Sequence, residues 1–553
     1  MVTFADLRDA RLGPLAEAAQ AWTTVSKAFA DLEGRCAVEV TGFLHGSGGA
    51  GSAAGEALRR ADGLDDEFEL VSMQSRTAAA VLRNAAEQFQ GVRRRLLAAI
   101  DGADAAGLRV DDDGRAHPQA MTYAERHDPD ADLVRLRAME NSRIYSDLIA
   151  RIVDEATDAD RSTARALRAL APAMPGQFAW EYNKATDAAQ AAAAALGLDE
   201  DDLPIAGTDP RTVRGWWDGL SADQRQVLLT AYPERLGGLD GLPAVDRDYA
   251  NQLALRNYIG DNVNHYRDQN NPQHDRALML LDKLEAAETA PPHKRLYLLS
   301  VDPVGDGEAA VAIGNPDTAA HTAVLVPGVG TELDDIRGQI SRANDLQDAA
   351  LEQAPGADVS VIAWLGYDTP SLDDDVVTAA FGAKSQAGAQ ALDGFVDGLR
   401  AAHDDSPSHV TVIGHSYGST VVGEAASTGD GIAADDVVAV GSPGMRVDDT
   451  GEFNIDGSHV WVGAAADDNF VARPENSVGP LRYIPIIGPA LADGAEGIHG
   501  PAPHDPAFGG NVLHVDTSGH SGYWERDSMI LRSQGAIIVG HYDAVVLDHG
   551  ATP

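Results

Sequence analysis

A serine, an acid and a histidine, in that order along the chain, carry the chemistry this sequence could perform. Ser416 lies in HVTVIGHSYGST (residues 409–420), where a β-branched run ends in Gly-His-Ser-Tyr-Gly. In a chain with 56 glycines a G-x-S-x-G match is weak evidence by itself, yet this is its single occurrence. Val410-Thr411-Val412-Ile413 precede the match and helix-compatible residues follow. That is the strand–turn–helix setting in which a serine is held on a strained turn as a nucleophile, with Gly414 and Gly418 required because side chains there would collide across the turn.

A hydroxyl attacks only when a base takes its proton, and the base needs an acid to orient it. In this setting both partners are expected on loops after later strands, acid first. HVWVGAAA runs into Asp467-Asp468-Asn469-Phe470-Val471; Asp468 is the expected acid and Asp467 its rival. Seven histidines follow Ser416. His459 and His514 fall at or within strands, His541 and His549 near the C-terminus, and His499 and His504 in GIHGPAPHDPAFGG. His520, in GHSGYW after NVLHVDTSG, occupies the last strand-end loop and is the expected base. An oxyanion needs two preorganised N–H donors. Tyr417, directly after the serine, supplies one, and the loop of AVLVPGVGTELDD supplies the other from Val329 or Gly330.

The elements that must position these residues are legible after Lys294. RLYLLSVDP and EAAVAIGNP read as a strand pair. HTAVLVPGVG, VSVIAWLGY, HVTVIGHS, DVVAVGSPG, HVWVGAAADD and NVLHVDTSGHS are short apolar runs ending in Gly, Asp or Ser, with helical stretches such as 333–351 and 385–402 between them. Apolar strands alternating with helices predict a mostly parallel sheet covered on both faces, with ligands at the carboxyl ends of its strands. Before residue 295 the pattern is helical. Phe4, Leu7, Leu12, Leu15, Ala19, Trp22, Val25, Phe29 and Leu32 form an apolar stripe, and a glycine-rich break at Gly46–Gly55 precedes a second run to about Ala99. The Asp111-Asp112-Asp113 cluster reads as a hairpin turn around Asp113-Gly114 and not as a calcium loop, since Arg115 takes a ligand position and no Glu closes the frame. More helix is expected over 132–196. The Trp216-Trp217 pair reads as core. The expected fold class is α/β behind an all-α N-terminal region, divided as a helical hairpin (1–116), a helical region packing on or capping the core (117–294) and a catalytic domain (295–553).

Composition narrows the classes. The 85 Asp and Glu against 42 Lys and Arg give a net charge of −43, which disfavours nucleic acid and anionic membrane surfaces as partners. One cysteine, Cys36, excludes an intramolecular disulfide framework and a cysteine-based zinc site. The first residues lack a basic start followed by an uninterrupted apolar core, so no secretory signal is expected, and no window is apolar enough for stable membrane insertion. A cytoplasmic location is the expectation, with export lacking a cleaved signal as the alternative. Gly382-Ala383-Lys384-Ser385 is not a phosphate loop, and neither H-E-x-x-H nor a strand-following G-x-G-x-x-G occurs; no cofactor is expected.

VLVPGVGT, VIGHSYGS, VGSPGM and GHSGYW together resemble the α/β-hydrolase superfamily. They are similar in particular to an actinobacterial branch with long helical N-terminal regions, over residues 209–553. The N-terminal hairpin resembles the Esx-type hairpins of type VII secretion substrates, with Phe43-Leu44-His45-Gly46 where a Trp-x-Gly is usual. The resemblance implies hydrolysis through Ser416, Asp468 and His520. The expected substrate is a small-molecule carboxylic ester, acyl or lipid-like, cleaved through an acyl-enzyme. Two alternatives stand beside it: an amidase or peptidase with the same residues, and an interaction or secretion-associated module that docks a protein partner through its N-terminal helices. The segments 367–388 and 473–500 interrupt the core after strand ends and are expected to shape the pocket, the second as an apolar acyl site.

Overall fold

The computed structural model describes residues 1–36, 39–40, 52–170, 182–265, 272–370, 382–404, 407–468 and 499–548. Its contacts divide the chain into two compact units: Met1–Leu203 with Ser221–Tyr232, and Pro204–Leu220 with Pro233–Pro553.

The first unit is built on helices Gly13–Cys36 and Ser52–Ala105 packed on one another, with Ala131–Ala169, Tyr182–Ala195 and Ala222–Ala231 beside them. The turn at Phe43–Gly46 lies outside the described residues. Small residues set the approach of the first two helices: Ala19 and Ser26 are buried, and Ser72 Oγ donates to the Ser26 carbonyl at 3.1 Å. Trp22 and Leu32, expected in the same stripe, stay at the rim with 44% and 39% exposure, because close packing on small side chains leaves bulky ones outside. The aspartate cluster forms a turn between antiparallel strands Leu108–Val110 and Ala116–Pro118. Asp111 Oδ1 accepts the Asp113 and Arg115 N–H groups at 3.0 and 2.8 Å, so this carboxylate ties the hairpin together.

The second unit holds an eight-stranded sheet. Its strands are β1 (Leu296–Asp302), β2 (Glu308–Ile313), β3 (His321–Val326), β4 (Val359–Leu365), β5 (His409–His415), β6 (Asp436–Val440), β7 (Val460–Gly463) and β8 (Asn511–Val512), in the spatial order β8-β7-β6-β5-β3-β4-β2-β1. β1–β2 and β2–β4 pair antiparallel and every other pair is parallel. The helices of this unit include α1 (Pro210–Asp218), α2 (Ala244–His265), α3 (Pro272–Glu285), α4 (Ile336–Gln353), α5 (Ala383–Ala402), α6 (Tyr417–Ser427) and α7 (Met529–Ile538).

Why the central strands are apolar throughout is visible in the two cores. Leu325, Ile413 and Val438 face one core with α4 and α7, while their neighbours Val324, Val412 and Ala439 face the other with α5 and α6. Successive side chains point to opposite faces, and both faces are covered. β8 is shorter than NVLHV suggests. Past Val512 the chain pairs with the C-terminal segment instead, the His514 N–H donating to the Val546 carbonyl at 2.9 Å. Trp217 on α1 is fully buried, its Nε1–H donating to Asp246 at 2.9 Å.

Candidate functional site

The sheet register brings the strand ends to one level. Val326 of β3 pairs with Gly414 of β5, His415 of β5 with Val440 of β6, and Val440 with Gly463 of β7. Loops leaving these ends converge on Ser416. Its backbone has φ 53° and ψ −129°, a region that costs a residue with a side chain about 1–3 kcal/mol. Neighbouring bonds hold it there. The Ser416 N–H donates to the Val440 carbonyl at 3.1 Å, and its own carbonyl accepts from the Ser419 N–H at 3.0 Å and the Ser419 hydroxyl at 2.6 Å. Ser442 Oγ, 2.6 Å from Ser419 Oγ, extends this brace. The flanking glycines are steric necessities: a Cβ on Gly418 would lie 2.4 Å from the Val326 carbonyl oxygen, and one on Gly414 would lie 2.5 Å from Ser419 Cα.

His520 stands across the same pocket. Its Nδ1 lies 3.0 and 2.8 Å from the two oxygens of Asp468, a buried carboxylate. Asp468 Oδ2 also accepts the Tyr523 hydroxyl at 2.8 Å, and that hydroxyl accepts the Ala465 N–H at 3.1 Å. Tyr523 is fully buried, and burial pushes its pKa up, so it stays a donor to the carboxylate. With Nδ1 donating to Asp468, the hydrogen-bond network assigns the ring's lone pair to Nε2. Asp467 takes a different place: its Oδ1 accepts the Gly519 N–H at 2.8 Å. One aspartate touches the imidazole and its neighbour touches the loop that carries it.

His415 was not singled out from the sequence, although it precedes the serine. Burial pulls its pKa down to about 3, so it is neutral, and its Nε2–H donates to the His520 main-chain carbonyl at 2.8 Å. It ties the histidine loop to the end of β5. Tyr523, Ser419 and Ser442 were likewise unmarked, and the sole sequence signal was Tyr523 standing three residues after His520. His459 meets Asp436 at 2.9 Å, His499 is pulled down by burial to about 4, and the backbone N–H groups of His514 and His541 donate to Val546 and Ala536. His549 lies outside the described residues.

Tyr417 is the first residue of α6, where an N–H has no intrahelical acceptor. In the loop after β3, the Gly330 N–H donates to the Pro370 carbonyl at 2.9 Å, whereas no acceptor meets the Val329 N–H among the described residues. Tyr367 donates its hydroxyl to the Pro327 carbonyl at 2.7 Å and steadies that loop. Together these elements enclose a pocket of about 320 Å³ lined by Gly328, Val329, Thr331, Asp335, Gly338, Gln339, Arg342, His415, Ser416, His520 and Ser521. A larger hollow of about 820 Å³ in the helical unit contains no histidine or cysteine. Of the two segments expected to shape the pocket, residues 371–381 and 473–498 lie outside the described residues. Among the described residues no cluster of three or more His, Cys, Asp or Glu is placed to hold a metal ion, and no helix is long and apolar enough to cross a membrane.

A family model described as alpha/beta hydrolase matches residues 302–478, from the end of β1 through Ser416 and past Asp468. The chain belongs to the α/β-hydrolases. Two mycobacterial relatives are uncharacterised proteins. Rv2079 of Mycobacterium tuberculosis is 33% identical over 399 residues, covering 63% of this chain and 58% of the relative. Mb0988c of Mycobacterium bovis is 30% identical over 200 residues, 34% of this chain and 73% of the relative. The chain thus spans little more than half the length of the first of these. No solved structure matches it.

Proposed function

We propose that this protein is a serine hydrolase that cleaves carboxylic esters through Ser416, His520 and Asp468. The observation that carries the reading is a histidine whose Nδ1 is held by a buried carboxylate at 2.8 Å, facing the pocket of a serine kept at positive φ. Ser416 Oγ attacks the ester carbonyl while His520 Nε2 removes its proton. Asp468 keeps the ring in the required tautomer and stabilises the imidazolium. The N–H groups of Tyr417 and Val329 receive the oxyanion, a contribution of about 3 kcal/mol per donor in comparable sites. Collapse of the tetrahedral intermediate expels the alcohol with the proton from His520 and leaves an acyl-enzyme. Water, deprotonated by the same nitrogen, then releases the acid.

Replacing Ser416 with Ala should abolish hydrolysis of short-chain 4-nitrophenyl esters and labelling by a fluorophosphonate. Undiminished turnover in that variant would refute the assignment. Matched 4-nitrophenyl esters and 4-nitroanilides separate ester from amide cleavage, and faster anilide turnover would move the reading to an amidase.

A further inference from the structure

The pocket beside Ser416 contains a cation with no ion-pair partner among the described residues. Arg342 sits two turns into α4 and lines the pocket together with Gln339, one turn earlier. Its guanidinium makes no hydrogen bond or ion pair among the described residues, and its central carbon lies 5.9 Å from the centroid of the Trp524 ring. Other buried arginines of this unit are paired: Arg276 with Glu332 and Asp334 at 2.9 and 2.8 Å, and Arg247 with Asp240 at 3.0 Å. Gln339 is only 7% exposed, yet its amide also makes no hydrogen bond among the described residues. A half-buried guanidinium and an amide on the same pocket wall, neither with a hydrogen-bond partner among the described residues, leave donors directed at whatever occupies the pocket. Burial also holds the Arg342 pKa below its ordinary value, with the charge of Asp335 acting the other way.

We propose that Arg342, assisted by Gln339, binds a carboxylate carried by the ester whose carbonyl Ser416 attacks. The inference rests on the hydrolase reading of Ser416 and names its substrate class: small esters bearing a free carboxylate, such as half-esters of dicarboxylic acids. The planar fork of a guanidinium matches a carboxylate, and the Gln339 amide adds a further donor. Asp335 faces the same pocket, its Oδ2 accepting the Glu332 N–H at 3.1 Å. Its negative charge disfavours a dianionic phosphate and leaves a monoanion as the fitting ligand. In a chain of net charge −43, a guanidinium without an ion-pair partner among the described residues also gives an anionic substrate a local attraction at the pocket.

The test compares mono-4-nitrophenyl glutarate with 4-nitrophenyl pentanoate, which has the same chain length without the charge. Wild type should favour the glutarate half-ester. Arg342→Gln should lower the ratio of the two kcat/KM values by about tenfold or more, chiefly through KM for the half-ester, and Arg342→Lys should restore part of it. An unchanged ratio in Arg342→Gln, or a wild-type preference for the neutral ester, overturns the proposal. A measurement without variants stands beside it: glutarate should slow fluorophosphonate labelling of wild-type Ser416 more than glutaramide does, and equal protection counts against it. Undiminished hydrolysis in Ser416→Ala refutes the underlying hydrolase reading, whereas an inactive Ser416→Ala with an unchanged Arg342→Gln ratio refutes this inference alone.

Discussion

Asp468 and Asp467 are chemically identical neighbours with different tasks. Asp468 accepts from the imidazole Nδ1 and from Tyr523, while Asp467 accepts a single loop N–H. If the imidazole must present an unprotonated Nε2, an amide at position 468 disrupts the tautomer and an amide at 467 does not. Asp468→Asn should therefore lower kcat on 4-nitrophenyl butyrate by about 10³–10⁴-fold, and Asp467→Asn by far less. Equal losses would show that the pair positions the loop and nothing more. The sequence favoured Asp468 over Asp467 as the expected acid but held no geometric reason for the choice. Which of two adjacent carboxylates meets a ring 52 residues away depends on the turn after β7 and the path of the loop after β8, neither of which has a periodic signature.

At the level of elements, the tight turn at Ser416 forms because α6 can press against the end of β3. Gly418 is the contact: any Cβ there meets the Val326 and Pro327 carbonyl oxygens at 2.4 and 2.5 Å. Backbone atoms cannot yield as a flexible side chain can. Gly418→Ala should therefore displace α6 from β3, lower the urea midpoint by an amount corresponding to about 1–3 kcal/mol, and reduce any turnover of 4-nitrophenyl butyrate with it. Full activity at wild-type stability would mean that the loop relaxes freely. The sequence marked Gly418 for a collision across the turn. The structure places that collision against the neighbouring strand, a partner about ninety residues away that local spacing does not reveal. The α/β alternation itself was legible, because strands buried on both faces leave continuous apolar runs such as Val410–Ile413.

For the molecule as a whole, a second buried carboxylate sits at the opposite ends of the strands from Ser416. Asp436 is fully buried at the start of β6. It meets His409 and His459 at 2.9 Å and accepts from Trp461 Nε1 and the Tyr542 hydroxyl at 2.8 Å, linking β5, β6, β7 and the C-terminal segment. Burial would raise the Asp436 pKa, but the donors around it, His409 first, bring it below the ordinary value. Burial would likewise lower that of His409, and the hydrogen bond and charge of Asp436 raise it instead. The signs follow by linkage. The His409 contribution to stability is fully present below the ordinary histidine value of about 6.5 and is lost as pH rises through its raised folded value. The Asp436 contribution is present above about 3.9 and is lost as pH falls through its lowered one. His409→Asn should therefore destabilise the protein more at pH 6 than at pH 8.5 in paired thermal melts, and a pH-independent difference would refute the linkage.

The sequence by itself determined the α/β class, the strand ends at which chemistry is sought, and Ser416 as the residue on the turn. These follow from local rules: side-chain alternation along a buried strand, and the steric demands of a tight turn. Tertiary structure alone decided which carboxylate meets His520, that His415 and Tyr523 brace the histidine and its neighbouring carboxylate, and that Arg342 lines the serine's pocket without an ion-pair partner among the described residues. Those facts depend on loops brought together by strand register and helix packing, and distances of that kind leave no trace in residue spacing.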